Sequence, residues 1–285
     1  MSVCLEGQVD PFQPPLPFLL DYLLSEFNRI PERSYSCLNT IRSAISTIAY
    51  IDHLPAGQHP LVCRFMKAIF QVRPSLSRSR ITWDPDMVLS HIADLGPNED
   101  LSTIQLSRKL TVLMLLVSGQ RGQTLHALDI RNMSVSPSRI SFRIGDLLKT
   151  SRPGVHLSEL TFHAYVPNRL LCVCTTIMCY IERTSEVRGT ETKFFLISRP
   201  PFTAASRDTL RRWTKDLLAA AGVDLTIFSP HSTRSAASSK AALTLPLSTV
   251  ISAVGWSAES SFARFYNKPL GNPALFAAAV LPPDC

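Results

Sequence analysis

Residues 229–266 read SPHSTRSAASSKAALTLPLSTVISAVGWSAESSFARFY. Ser229 and Pro230 have the chemistry of an N-cap and a first helical residue, because a serine oxygen accepts an orphan helix N–H and proline has none to lose. His231 and Arg234 then fall three apart, on one face of the first turn. That turn also offers free backbone N–H groups and the positive end of the helix dipole, so side chains and backbone together make an anion site. A capped surface helix with incidental charge is the competing reading. Further on stand Trp256, directly after a glycine, and Tyr266, ten residues beyond it.

The rest of the chain bounds what such a helix could serve. With 285 residues, 45% of them hydrophobic, the chain can bury a real core and is expected to form two domains. No apolar run approaches the ~18 residues of a membrane span, so no membrane partner is expected. The first residues, MSVCLEGQVDPFQPPLPF, lack the basic start and apolar core of a secretory signal. Seven scattered cysteines, an odd number, fit a reduced intracellular protein better than a disulfide framework. The net charge of +7 is unevenly placed: residues 1–100 carry 8 Lys and Arg against 11 Asp and Glu, whereas 101–285 carry 21 against 11. A basic C-terminal part points to a polyanionic partner, most economically nucleic acid.

Helical periodicity dominates. LPFLLDYLLSEFNRI makes a broad apolar face, the stripe Leu38, Ile41, Ile45, Ile48 and Ile51 predicts a second helix, and HPLVCRFMKAIFQVRP a third. Arg64, Lys67, Arg73, Arg78 and Arg80 then occur with no acid among them, either a solvated basic linker or a phosphate-tracking arm. A domain boundary is placed near residue 82, giving 1–82 and 83–285. WDPDMVLSHIADL is a short helix and LSTIQLSRKLTVLMLLVSG a long core helix. Residues 129–161 alternate, predicting a small antiparallel sheet with a hairpin turn at SRPG. Helix returns at NRLLCVCTTIMCYIERT, whose Cys172, Cys174 and Cys179 lack zinc-ligand spacing and read as core thiols. TKFFLIS predicts a strand and SRDTLRRWTKDLLAAAG an amphipathic helix stopped by Gly222. Helices are expected over 231–243, 246–254 and 257–267, followed by an apolar tail, PALFAAAVL. The fold class is thus mainly α with a small antiparallel β-sheet.

Two further residues join the opening run. Arg121 follows a buried helix at a Gly-flanked turn, and Lys149 lies just before the hairpin turn, on a tip able to reach a ligand. Each has an ordinary alternative: Arg121 as a helix cap, Lys149 as a surface lysine beside Arg152, Trp256 as core. In order, Arg121, Lys149, His231-x-x-Arg234, Trp256 and Tyr266 form a pattern that resembles the catalytic set of the tyrosine recombinases, the phage-integrase family. QRGQTLHALDI, LLKTSRPG and GWSAESSFARFYNKP resemble in particular the recombinases of DIRS-type retrotransposons. The resemblance covers nearly the whole chain and makes residues 1–82 a helical core-binding domain and 83–285 an α+β catalytic domain. Each motif alone is common; six residue types in this order are specific. Thr124 stands where many members carry an acid, and Trp256 precedes Tyr266 by one residue more than is usual in bacterial members.

The resemblance implies a site-specific recombinase that cleaves and rejoins double-stranded DNA through a 3′-phosphotyrosine, with no metal, no cofactor and no ATP. Arg121 and Arg234 would each fork onto non-bridging phosphate oxygens. His231, with an unperturbed pKa of about 6.5, would donate to the phosphate or accept the tyrosine proton. Lys149 would be the general acid for the 5′ oxygen, Trp256 an indole donor and Tyr266 the nucleophile. Relatives also imply a homotetramer on DNA, joined through the C-terminal tail, and work in the nucleus. Competing readings are a type IB topoisomerase-like nicking and closing enzyme, a mobile-element relic that binds DNA without cutting it, and an RNA-binding or scaffold protein, which would leave the six residues unexplained.

Overall fold

The computed structural model describes residues 9–29, 32–74, 81–149, 151–154, 156–256, 259, 262–263 and 268. The chain divides into two compact units, Met1–Arg78 and Ser79–Cys285.

In the first unit, α1 (Leu16–Asn28), α2 (Tyr35–Ser46) and α3 (Pro60–Val72) enclose Leu19, Leu23, Leu38, Val62, Met66 and Ile69. Ser34 caps α2 by accepting the Cys37 N–H at 3.2 Å, and His59 Nδ1 accepts from Leu61 at the start of α3. The apolar stripe expected to run helically through Ile51 stops at Ser46. Strands β1 (Tyr50–Ile51) and β2 (Leu54–Pro55) follow as a tight antiparallel pair, turned by Asp52 and His53 at φ 50° and 64°. The chain doubles back because Gly57 packs onto α2 so closely that a Cβ there would lie 2.8 Å from the Ser46 Cβ. Ile51 reaches the core from the strand, and Ile48 is left half exposed.

The second unit is built around α5 (Thr103–Ser118), which is buried from Leu106 through Leu116 at every residue but Arg108. A capping box starts it: Ser102 Oγ accepts the Gln105 N–H and Gln105 Oε1 accepts the Ser102 N–H. Around it pack α6 (Gly122–His126), α7 (Val173–Thr184), α8 (Arg207–Ala220) and α9 (Ser232–Ala241). Asp84 caps α4 (Pro85–Asp94), and Lys240 pairs with Asp84 and Asp86 to hold α4 against α9. Trp83 adds an indole N–H to Ser232 Oγ at 2.7 Å. No helix among the described residues is long and apolar enough to cross a membrane.

The expected sheet forms as β3 (Met133–Ser136), β4 (Arg139–Arg143) and β5 (Glu159–His163), antiparallel in that order, with Phe142 paired to Leu160 and Ile140 to Phe162. Its β4–β5 connection carries Lys149. Two expectations are corrected. TKFFLIS is not a strand: among the described residues it pairs through the isolated bridges Asp129–Lys193 and Leu196–Ala204 alone, with Phe194, Phe195 and Leu196 all buried as a core spacer. The helix expected to begin at Pro230 begins at Ser232. Ser229 is not its cap; the Ser229 carbonyl accepts both the Ser232 N–H and the Ser232 hydroxyl, closing a turn that leaves His231 at the N-cap position. The helix α10 (Leu247–Val254) forms as expected and ends at Gly255, φ 74°. Most of the helix expected over 257–267, with Tyr266, and the tail PALFAAAVL lie outside the described residues.

Candidate functional site

The C-terminus of α5 is the floor of the site. Leu106 to Leu116 bury the helix, and Gly119 ends it at φ 59°, so Gln120 and Arg121 emerge from a rigid support. Arg121 occupies the N-cap position of α6, half-buried, while Thr124 Oγ1 faces Gln120 Oε1 at 3.5 Å. The wall opposite is α9 with His231 and Arg234. The rim includes Lys149, whose backbone N–H donates to Gln123 Oε1 at 3.3 Å.

These four residues, up to 113 positions apart in the chain, line one cleft of about 300 Å³. The first two turns of α8 complete it with Arg207, Asp208 and Arg211, which the sequence places only on the polar side of an amphipathic helix. The i, i+4 spacing of Arg207 and Arg211 is the one signal available for them. Five cations therefore meet one carboxylate, that of Asp208. Arg121, Lys149, Arg207 and Arg211 make no ion pair among the described residues. Such a cleft attracts an anion and lacks the acids that would neutralise it from within.

Arg234 is buried, 3% exposed, where it borders the cleft. Its Nη1 donates to the Gly119 carbonyl at 3.0 Å and its Nη2 to the Val254 carbonyl at 3.2 Å. The Trp256 ring lies 4.8 Å from its guanidinium carbon. Gln120 Nε2 donates to the same Val254 carbonyl at 3.2 Å. Trp256 thus supports Arg234 and packs on Phe262; it is not among the residues lining the cleft. The His231 residue is solvent-accessible, yet its pKa is held below 6.5, by desolvation of the ring and then by the charges of Arg121, Arg211, Lys149 and Arg234, which act in the same direction. A neutral imidazole in the cleft can accept a proton.

Tyr266 lies outside the described residues. Lys268, two positions on, donates its backbone N–H to Ser239 Oγ on α9 at 3.1 Å. Among the other tyrosines, Tyr180 is fully buried and its Oη accepts the Leu196 N–H at 2.9 Å, which removes it from solvent and substrate alike. Tyr165 is half exposed and is not among the cleft's lining residues. In the first unit, Arg64 and Lys67 are exposed on α3, whereas Arg73 donates to the Phe27 and Arg33 carbonyls and stacks on Phe27. Arg78 and Arg80 are outside the described residues. Cys172 and Cys174 are buried free thiols, and no group of three or more His, Cys, Asp or Glu placed to hold a metal occurs among the described residues.

Solved structures share this fold. The Tn1549 transposon integrase in complex with circular intermediate DNA matches over 97% of this chain and 88% of that one, at 12% identity and TM-score 0.58. The XerH site-specific recombinase bound to palindromic difH substrate, a post-cleavage complex, matches over 93% and 72%, at 12% identity and TM-score 0.57. XerA recombinase matches over 93% and 88%, at 14% identity and TM-score 0.50. No protein-family model and no curated protein matches the chain. The likeness establishes the fold: mainly α with small antiparallel sheets, that of the tyrosine recombinase catalytic domain.

Proposed function

We propose that this protein is a site-specific DNA strand transferase that cuts and rejoins duplex DNA through a 3′-phosphotyrosine on Tyr266. The observation that carries the reading is the convergence of Arg121, Lys149, His231 and Arg234 on one electropositive cleft. A metal-free attack on a phosphodiester requires charge neutralisation at the phosphorane, a proton for the leaving oxygen and a base for the nucleophile. Arg121 supplies the free guanidinium, with Arg207 and Arg211 beside it. Lys149 supplies the proton for the 5′ oxygen. His231, neutral, takes the tyrosine proton. Arg234, held by two carbonyls and an indole, is a fixed cation at the wall of the cleft whose charge favours the phosphate. The docking of Lys268 on α9 supports Tyr266 as the residue that attacks here.

DNA as the partner is supported by the structural neighbours, two of which are complexes with their DNA substrates. The motifs QRGQTLHALDI, LLKTSRPG and GWSAESSFARFYNKP support a mobile-element recombinase of the DIRS type, working in the nucleus as a homotetramer on its DNA. In this reading residues 1–82 form the core-binding domain and 83–285 the catalytic domain.

A random-sequence substrate pool tests the reading without a defined target site. The full chain is incubated with random duplexes nicked near their centres, so that cleavage releases a short strand and traps the adduct. DNA-linked peptide is then mapped by mass spectrometry. Attachment is expected at Tyr266 and is abolished in Tyr266→Phe, with DNA affinity nearly intact because one phenolic hydroxyl adds little to a phosphate-dominated interface. Attachment at Tyr165 or a serine refutes the assignment, and tight binding with no adduct identifies a DNA-binding relic.

A further inference from the structure

Lys149 is reached through a connection between β4 and β5 that belongs to no regular element, so nothing in secondary structure holds its backbone. Other bonds do. Leu148 is buried, and its N–H donates to Ser151 Oγ at 2.9 Å while its carbonyl accepts the Ser151 N–H at 2.8 Å, closing a tight turn around Lys149. Ser151 Oγ lies 2.8 Å from His156 Nδ1, and His156 Nε2 lies 2.9 Å from the Ile144 carbonyl. Ile144 is itself buried where the connection leaves the sheet, its N–H bonded to the Ser158 carbonyl.

Donor and acceptor chemistry orders the protons along this relay when the ring is neutral. A carbonyl only accepts, so His156 Nε2 carries the hydrogen. In the neutral ring Nδ1 is then an acceptor for the Ser151 hydroxyl. The Ser151 oxygen keeps lone pairs for the Leu148 N–H. Every donor and acceptor is matched, and the result is a strap from the base of the connection, through His156 and Ser151, to the residue before Lys149.

We propose that Ser151 and His156 are positioning residues for Lys149, fixing its ammonium for proton delivery; the inference rests on the strand-transfer reading above. In that step the Tyr266 oxygen bonds to phosphorus and its proton passes to His231. The bond from phosphorus to the 5′ oxygen breaks, and that oxygen leaves with a proton from Lys149. General acids act over about 2.6–3.2 Å, so a lysine on a loosened loop loses rate although its charge remains. Neither Ser151 nor His156 lines the cleft, so their effect travels through Lys149.

The experiment compares two leaving groups. Duplexes recovered from the trapping pool are made with oxygen or with sulfur at the 5′ bridging position of the cleaved linkage. A thiolate leaves without a proton, so sulfur removes the need for the acid. Single-turnover cleavage is measured for wild type, Lys149→Ala, Ser151→Ala, Ser151→Thr and His156→Ala. Ser151→Ala and His156→Ala are expected to be about 10- to 100-fold slow on oxygen. On sulfur they return to within about threefold of wild type, as Lys149→Ala does, and Ser151→Thr, which keeps the hydroxyl, cleaves oxygen normally. Equal slowing on both substrates, or wild-type rates on oxygen, overturns the positioning role while leaving the recombinase reading intact. Lys149→Ala that sulfur does not restore overturns the role by removing the acid it positions. Wild-type protein that forms no adduct with either linkage overturns the recombinase reading and this inference with it.

Discussion

At the scale of single residues, Arg234 shows what the cleft demands of its cations. Two carbonyls and an indole fix its plane, a geometry matched by a guanidinium and not by an ammonium. Arg234→Lys keeps the charge but cannot bridge Gly119 and Val254, so it is expected to lose about 2–4 kcal/mol of stability by urea denaturation, together with strand cleavage. A loss below about 1 kcal/mol would show that the two bonds are incidental. His231 gives a pH test. Its folded pKa lies below 6.5, so the fold disfavours the protonated ring. Stability is then unaffected by this group above pH ~6.5 and is lost as pH falls from there through the lower folded value. His231→Gln, which cannot be protonated, should therefore gain stability relative to wild type between about pH 7 and 5. A constant difference across that range would show that the fold does not lower the His231 pKa.

At the scale of elements, the site depends on the end of α5 meeting the end of α10. Gly119 is in the left-handed region at φ 59°, and a Cβ there would lie 2.8 Å from Val254 Cγ2. Gly119→Ala therefore combines backbone strain of about 1 kcal/mol with overpacking of about 1–3 kcal/mol. Because the Val254 carbonyl also receives Gln120 and Arg234, displacement of α10 should reduce cleavage as well. Adding Val254→Ala relieves the clash and not the strain, so a double-mutant cycle by thermal denaturation should show favourable coupling above about 0.5 kcal/mol. Strict additivity would mean that the two ends do not press on each other.

At the scale of the whole molecule, most of the net charge lies in the second unit. The first unit, residues 1–78, carries 7 Lys and Arg against 6 Asp and Glu, and its DNA contacts in the proposed function fall to few residues. Arg64 and Lys67 face solvent on α3, so replacing both with Gln should lower the slope of log affinity against log salt by roughly 2. Arg73→Ala should leave that slope unchanged and destabilise the unit instead, since its guanidinium ties the end of α3 to the Phe27 and Arg33 carbonyls. A salt dependence unaltered by the first pair would exclude these residues from the interface. By itself the sequence determined what depends on near neighbours. The 3.6-residue spacing marked α1, α3, α5, α7 and α8, and the alternation of 129–161 marked the three-stranded sheet. The order Arg121, Lys149, His231, Arg234 singled out the candidates. Local pattern misjudged the places where a distant partner outweighs periodicity: the stripe broken at Ser46 by the approach of Gly57, the buried segment at Phe194 that pairs with no full strand, and the helix start moved to Ser232, the residue that receives the Trp83 indole N–H. Tertiary structure alone decided that four residues so far apart in the chain share one cleft, that Arg207 and Arg211 join them, that Arg234 is clamped by Gly119 and Val254, and that Arg73 is an internal tie. Each of these follows from helices packing across long separations in the chain, and sequence spacing carries no record of which side chains that packing brings within a few ångströms of one another.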